Sequence, residues 1–211
     1  MNYKKMEKNY KKMENNYNRY DSYDIEKYNK KGLSYYFMRM AVDRTIYPYL
    51  HNLKGKDILE VGVGYGYYKD AYFSDNNVTG YDVNPQLGEH LGIEIVEGKA
   101  NNLKDRIGDR TFDVVLSFFM TEYLSKHELA EFITQGISIL KTNGKFATTI
   151  ILDSGLGGVY TRLAQAKGIK KYSYTLCEID KIMAGRVYRL IPLNSVCKIP
   201  FATLLEVSNE E

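Results

Sequence analysis

From Gly32 to the C-terminus the apolar positions fall into two patterns: short unbroken runs, and stripes spaced three and four residues apart. A compact run bounded by turn residues reads as a buried strand, and a three–four stripe reads as one face of a helix. Leu33, Tyr36, Phe37 and Met40 form the first stripe, a helix expected to run to about Tyr47, where Pro48 limits it. Asp57 to Val61 is the first strand, followed by a glycine loop and a helix to about Phe73. Val78 to Tyr81, Ile93 to Val96 and Phe112 to Leu116 are the next three strands. Ser125 and Glu128 have capping-box spacing. They open a helix striped by Leu129, Phe132, Ile133, Ile137 and Leu140, with Asn143-Gly144 expected to end it. Lys145 to Leu152 is the fifth strand. Leu156, Val159, Tyr160, Leu163 and Ala164 then give a helix face, closed by Gly168. Arg186 to Leu193 and Phe201 to Val207 have no helix between them and should pair antiparallel at one edge. The class is therefore α/β, a mostly parallel sheet with helices on both faces.

The first 31 residues follow another rule. NYKKMEK, NYKKMEN and NYNRYDS repeat with period seven, and Tyr3, Met6, Tyr10, Met13, Tyr17 and Tyr20 would line one side of a helix. Three heptads are the lower limit for a coiled coil, so a homodimerising or docking helix and a solvated low-complexity tail both stay open. The expected division is a Lys/Asn/Tyr-rich segment over 1–31 and one folded domain over 32–211. The segment carries nine Lys/Arg against five Asp/Glu, but the whole chain carries only +3, too little to imply nucleic acid by itself. No apolar run reaches the length of a membrane span, and the N-terminus lacks the apolar core of a secretory signal. Cys177 and Cys197 are the only cysteines, which fits a reduced cytoplasm and no structural zinc.

The chemistry concentrates in Asp57-Ile-Leu-Glu-Val-Gly-Val-Gly-Tyr-Gly66. A strand running into glycines 62, 64 and 66 and then a helix lets backbone approach a ligand. Dinucleotide enzymes use the same device, and Asp82, twenty residues after Gly62, suits a ribose-binding acid in either class. Two residues separate the readings. The third dinucleotide glycine would fall at 67, where this chain has Tyr67. Glu60 precedes the loop, and a carboxylate repels a pyrophosphate but attracts the ammonium and sulfonium of S-adenosylmethionine (SAM).

Glu60-Val-Gly-Val-Gly-Tyr-Gly66 resembles the first motif of class I SAM-dependent methyltransferases, of the methyltransferase type 11 kind. The similarity continues over about 150 residues through Tyr81-Asp82-Val83-Asn84, Glu97-Gly98-Lys99-Ala100-Asn-Asn-Leu103, Phe112-Asp-Val-Val-Leu-Ser117 and Leu140-Lys-Thr-Asn-Gly144. The resemblance implies a Rossmann-like fold with a seven-stranded sheet and an antiparallel C-terminal pair. It implies SAM as cofactor and S-adenosylhomocysteine (SAH) as product. It also implies that Asp82 binds the ribose hydroxyls and Val83 packs on adenine. Lys99 stands where the family usually has an acid contacting adenine, leaving the Ala100 N–H to serve. Ser117, Phe118 and Phe119, at the end of strand four, could touch the cofactor or pack as core.

Methyl transfer from a sulfonium is an in-line displacement that needs a base only when the acceptor must lose a proton. Asp153, at the end of strand five, and Tyr123, after strand four, are the candidates for that role. His51, His90 and His127 read as connector or surface. Lys167, Lys170 and Lys171 form a basic end beyond the striped helix, either a lid over an anionic or apolar acceptor or a solvated helix end. Tyr23, Tyr28, Tyr35 and Tyr36 could line a pocket or pack a core. The expected activity is methylation of an O or N atom of a small metabolite. Nucleic-acid methylation and a non-catalytic SAM-binding or assembly role are the alternatives. The Asn/Asp-Pro-Pro-aromatic motif of amino-methylating nucleic-acid enzymes is absent, since the segment reads Ser117-Phe-Phe-Met120.

Overall fold

The computed structural model describes residues 42–64, 66, 68–86, 91–194 and 200–209. The heptad segment, Tyr23, Tyr28, Tyr35, Tyr36, the stripe from Leu33 to Met40, His90, Cys197 and Tyr67 lie outside them. Seven strands form one sheet: β1 (Asp57–Val61), β2 (Asn77–Asp82), β3 (Glu94–Glu97), β4 (Phe112–Ser117), β5 (Leu140–Ile151), β6 (Tyr188–Asn194) and β7 (Pro200–Ser208). Their order is β3-β2-β1-β4-β5-β7-β6. The first five are parallel, and β7 inserts antiparallel between β5 and the edge strand β6. The Rossmann-like arrangement expected from the strand runs is therefore present, with the antiparallel pair at one edge.

The helices are α1 (Tyr47–His51), α2 (Lys69–Tyr72), α3 (Leu103–Ile107), α4 (Lys126–Ser138), α5 (Gly155–Ala166) and α6 (Leu176–Met183). One face of the sheet (Leu59, Val61, Tyr81, Val115, Phe146, Ile150, Leu205 and Val207) packs with Leu103 and Ile107 of α3, Leu129, Phe132 and Ile133 of α4, and Ile179 and Met183 of α6. On the other face Tyr72 of α2 reaches Glu60, and Tyr49 of α1 lies beside Glu206. Helices thus cover both faces.

Three elements depart from the expected pattern. Pro48 does not end the helical stretch: the π-helical turn Val42–Ile46 leads directly into α1, where Pro48 occupies the first turn. Helix α4 has both bonds of its capping box but ends at Ser138, because Leu140 already pairs with Phe112. Asn143-Gly144 is instead a turn within β5, with Asn143 at φ 60°. Helix α5 buries Gly157, Gly158, Thr161 and Ala164, while Val159 and Leu163 of the expected face are exposed.

Candidate functional site

The carboxyl ends of the parallel strands share one edge of the sheet, where open α/β folds form their crevice. There β1 gives way to the glycine loop, with Gly62, Gly64 and Gly66 at φ 77°, 49° and 63°, a region that strains any side chain. Gly62 N–H donates to the Tyr81 carbonyl at 2.7 Å, and Gly66 N–H to the Val63 carbonyl at 2.8 Å. The three glycines differ in what a Cβ would meet. On Gly62 it would come within 2.8 Å of Met120 Cγ, and on Gly66 it would collide with Leu91. On Gly64 it would meet only the Gly62 carbonyl oxygen, at 3.9 Å. Among the described residues, Gly64 alone of the three borders open space.

Asp82, at the end of β2, closes the loop from the other side. Its Oδ2 accepts from Gly64 N–H and its Oδ1 from Asn84 N–H, both at 2.9 Å. Burial pushes this carboxyl up from its ordinary pKa, and the N–H groups of Asn84, Gly64 and Val83 partly restrain it. Glu60 is also buried, and its Oε2 accepts from the Tyr72 hydroxyl at 2.5 Å. Burial first, and Asp82 in addition, push the Glu60 pKa up to about 8 despite the Tyr72 bond. No basic side chain among the described residues contributes to either shift. Two neighbouring buried acids beside an open, glycine-lined space fit a ligand that combines hydroxyl groups with positive charge.

The expected adenine side is held by backbone. Gly98 N–H donates to the Asp82 carbonyl at 3.0 Å, and the Tyr81 hydroxyl to the Lys99 carbonyl at 2.9 Å. Val83 is half-buried, Ala100 buried and Lys99 exposed, so Lys99 enters this corner through its main chain. Ser117 is fully buried and its hydroxyl has no partner among the described residues. Strand alternation puts it on the Val115 face, opposite the face of Glu60.

The turn after β4 flanks the glycine loop through Met120. Phe119 sits at φ 53°, a costly conformation for an aromatic residue, held by its N–H to Thr149 Oγ1 at 2.6 Å. Thr121 donates to the Thr149 carbonyl at 2.5 Å. Next come Glu122 and Tyr123. Glu122 forms a buried ion pair with Lys171, whose ammonium also donates to the Tyr160 hydroxyl. The same ammonium lies 4.8 Å from the Tyr123 ring centroid and 4.7 Å from that of Tyr160. Burial alone would lower the Lys171 pKa, but Glu122 and Tyr160 raise it overall. Lys171 is therefore a buried strut between the turn and α5, not the solvated end its neighbours suggested. Asp153 sits at the end of β5, accepts from Ser173 Oγ at 3.2 Å and pairs with Arg162 at 3.7 Å. His127 is exposed beside Glu131, and His51 is exposed against Tyr47.

Tyr72, Met120 and Glu122 are additions the sequence did not flag, as is the joining of Lys171 and Tyr160 to Glu122. Tyr72 follows Glu60 by twelve residues and Lys171 follows Glu122 by forty-nine, separations that carry no local signal.

No curated protein matches the chain in a sequence search. Its fold is shared with magnesium protoporphyrin IX methyltransferase from Synechocystis, solved with SAH bound, at 15% identity over 84% of this chain and 87% of that one, TM-score 0.62. A SAM-dependent methyltransferase from Archaeoglobus fulgidus aligns at 15% identity over 81% and 93%, TM-score 0.63. The 1,6-didemethyltoxoflavin-N1-methyltransferase of Burkholderia thailandensis aligns at 13% identity over 89% and 85%, TM-score 0.60. Residues 59–148, which hold Glu60, the glycines, Asp82 and the turn after β4, match the family model described as a methyltransferase domain, so this stretch of the chain is a methyltransferase domain.

Proposed function

We propose that this methyltransferase acts on an O or N atom of a small metabolite. The observation that carries this reading is the burial of Lys171 against Glu122. The cation of the α5 connection nearest the turn after β4 is thereby neutralised, which argues against a phosphate-binding groove there. Two of the similar structures are named for small-molecule acceptors, a magnesium porphyrin and a toxoflavin precursor.

When bound, SAM supplies an electrophilic methyl group on a sulfonium. Glu60 and Asp82 would balance its charge and hold its ribose, with Gly64 giving backbone room, Val83 and Ala100 framing the adenine, and the Lys99 main chain fixing that corner. Ser117 would support the floor from within the core. The Thr121–Tyr123 turn and α5 would orient the acceptor and exclude water, since reacting atoms must be held within about 3–3.5 Å. Tyr123 is the group we assign to the acceptor side; Asp153 is already engaged by Ser173 and Arg162. We place the protein in the cytoplasm on its cysteine content, and we keep 1–31 as a separate segment that could pair two copies.

The test is incubation with methyl-tritiated SAM and matched panels of phenols, carboxylates, amines, RNA and DNA. Label entering the small-molecule fraction is expected. Label entering RNA or DNA, or no acceptor at all, would overturn the assignment.

A further inference from the structure

The Glu60 carboxyl is buried at the end of β1. Tyr72 donates to it from α2, with the Tyr68 ring adding a second phenol near Tyr72; Asp82 approaches from β2. Its register neighbours are Gly80 on β2 and Leu116 on β4, neither of which carries charge. Among the described residues its surroundings thus contain a neutral donor and another acid, but no cation that acts on it. A carboxylate there would be stabilised by one hydrogen bond while losing its water and facing Asp82 at the same time.

We propose that SAM enters this site with release of the proton held on Glu60, which makes the buried carboxyl a charge sensor, neutral before the cofactor arrives and ionised once positive charge is beside it. The proposal rests on the cofactor assignment above. Only the carboxyl O–H bond breaks; the electron pair stays on the carboxylate and the proton passes to buffer. Asp82 does not take this role, because three N–H groups already favour its ionised form. Tyr72 keeps its proton, since burial and Glu60 raise its pKa well above the ordinary tyrosine value.

The consequence is a pH-dependent affinity of definite sign. Below the free-site pKa of about 8, binding must first remove the Glu60 proton, so affinity climbs with pH. Above it the carboxyl is already ionised and the gain stops. The site also favours a cationic ligand over a neutral nucleoside of the same shape, which would draw no proton out.

The experiment is titration calorimetry of SAM against the full chain, in buffers of differing ionisation enthalpy, from pH 6.5 to 9. SAM carries an α-ammonium that titrates in the same range, so each count is taken as wild type minus Glu60→Gln. That difference is expected to be about 0.9 proton released at pH 7 and about half a proton at pH 8. Wild-type affinity should rise about tenfold per pH unit below 8 relative to Glu60→Gln. Tyr72→Phe removes the donor that favours the ionised form, so its proton release should persist to higher pH. Equal proton counts in wild type and Glu60→Gln would overturn the proposal, as would a Tyr72→Phe profile that does not move. Failure of wild type to bind SAM at all would instead remove the cofactor assignment, and the proposal with it.

Discussion

The Tyr81 hydroxyl donates to the Lys99 carbonyl at 2.9 Å across the two strand ends that frame the expected adenine corner. The same oxygen occupies the space that a Cβ on Gly98 would need. Gly98 and Tyr81 are therefore one unit. Tyr81→Phe should cost about 1 kcal/mol of stability through the lost hydrogen bond. Gly98→Ala should cost about 1–3 kcal/mol by forcing the ring aside. Urea unfolding of both singles and the double should show coupling, with the double less destabilised than the sum. Strict additivity would show that the two residues act separately.

Asp82 holds the glycine loop and, by the reading above, the ribose. Asp82→Asn turns one acceptor oxygen into an NH2 group facing a backbone N–H, either that of Gly64 or that of Asn84. Calorimetry should show SAM affinity lower by at least about 30-fold, the scale of two charge-assisted bonds lost or weakened. Affinity within threefold of wild type would remove Asp82 from the site.

The glycines of the loop should separate binding from folding. Ala at 64 or 66 meets a positive φ, costing about 1–2 kcal/mol in each case. At 66 it also collides with Leu91, so Gly66→Ala should be the less stable protein by thermal melting. At 64 it fills the open space, so Gly64→Ala should lose more SAM affinity than stability. The reverse ranking would mean that the space beside Gly64 is not where the cofactor lies.

Lys171 and Glu122 show where reading by sequence stops. Strand runs, the capping box at Ser125 and the glycine loop are local patterns, and the structure has each where its residues imply. Asn143-Gly144 reads locally as the end of the helix, but its place inside β5 depends on Leu140 pairing with Phe112, twenty-eight residues away. Helix α5 misleads because glycine buries backbone: Gly157 and Gly158 pack inward while the larger Val159 and Leu163 stay exposed, and a side-chain stripe cannot register that. Lys171 sits in a run of lysines that looks solvated, and only the chain's return to the β4 turn brings it to Glu122. Removing one member of such a pair leaves a buried charge. Lys171→Met should cost about 3–5 kcal/mol in urea unfolding, and adding Glu122→Gln should recover much of it. A near-neutral Lys171→Met would show that the pair is solvated.

Glu60 also makes the stability of the ligand-free protein depend on pH in an unusual direction. Its folded pKa, about 8, lies above the ordinary value of 4.5, so across that interval the folded chain holds a proton that the unfolded chain has released. The stabilisation is complete below about pH 4.5 and disappears as pH rises toward 8. Asp82, whose pKa burial also raises, acts with the same sign. Glu178 acts oppositely: its hydrogen bond from Lys126 and the Thr175 N–H lower its pKa to about 2, and its contribution is lost as pH falls. Glu178 is half-buried and its contribution changes only below about pH 5, so Glu60 should dominate between pH 5 and 8, by on the order of a few kcal/mol. Urea unfolding without SAM should therefore show wild type weakening over that range and Glu60→Gln staying nearly level. The two curves should diverge most at pH 8. With saturating SAM the wild-type decline should flatten, because the ligand then supplies the charge that the empty environment of Glu60 lacks. Parallel pH profiles for wild type and Glu60→Gln would show that the carboxyl ionises at an ordinary pH in the folded protein.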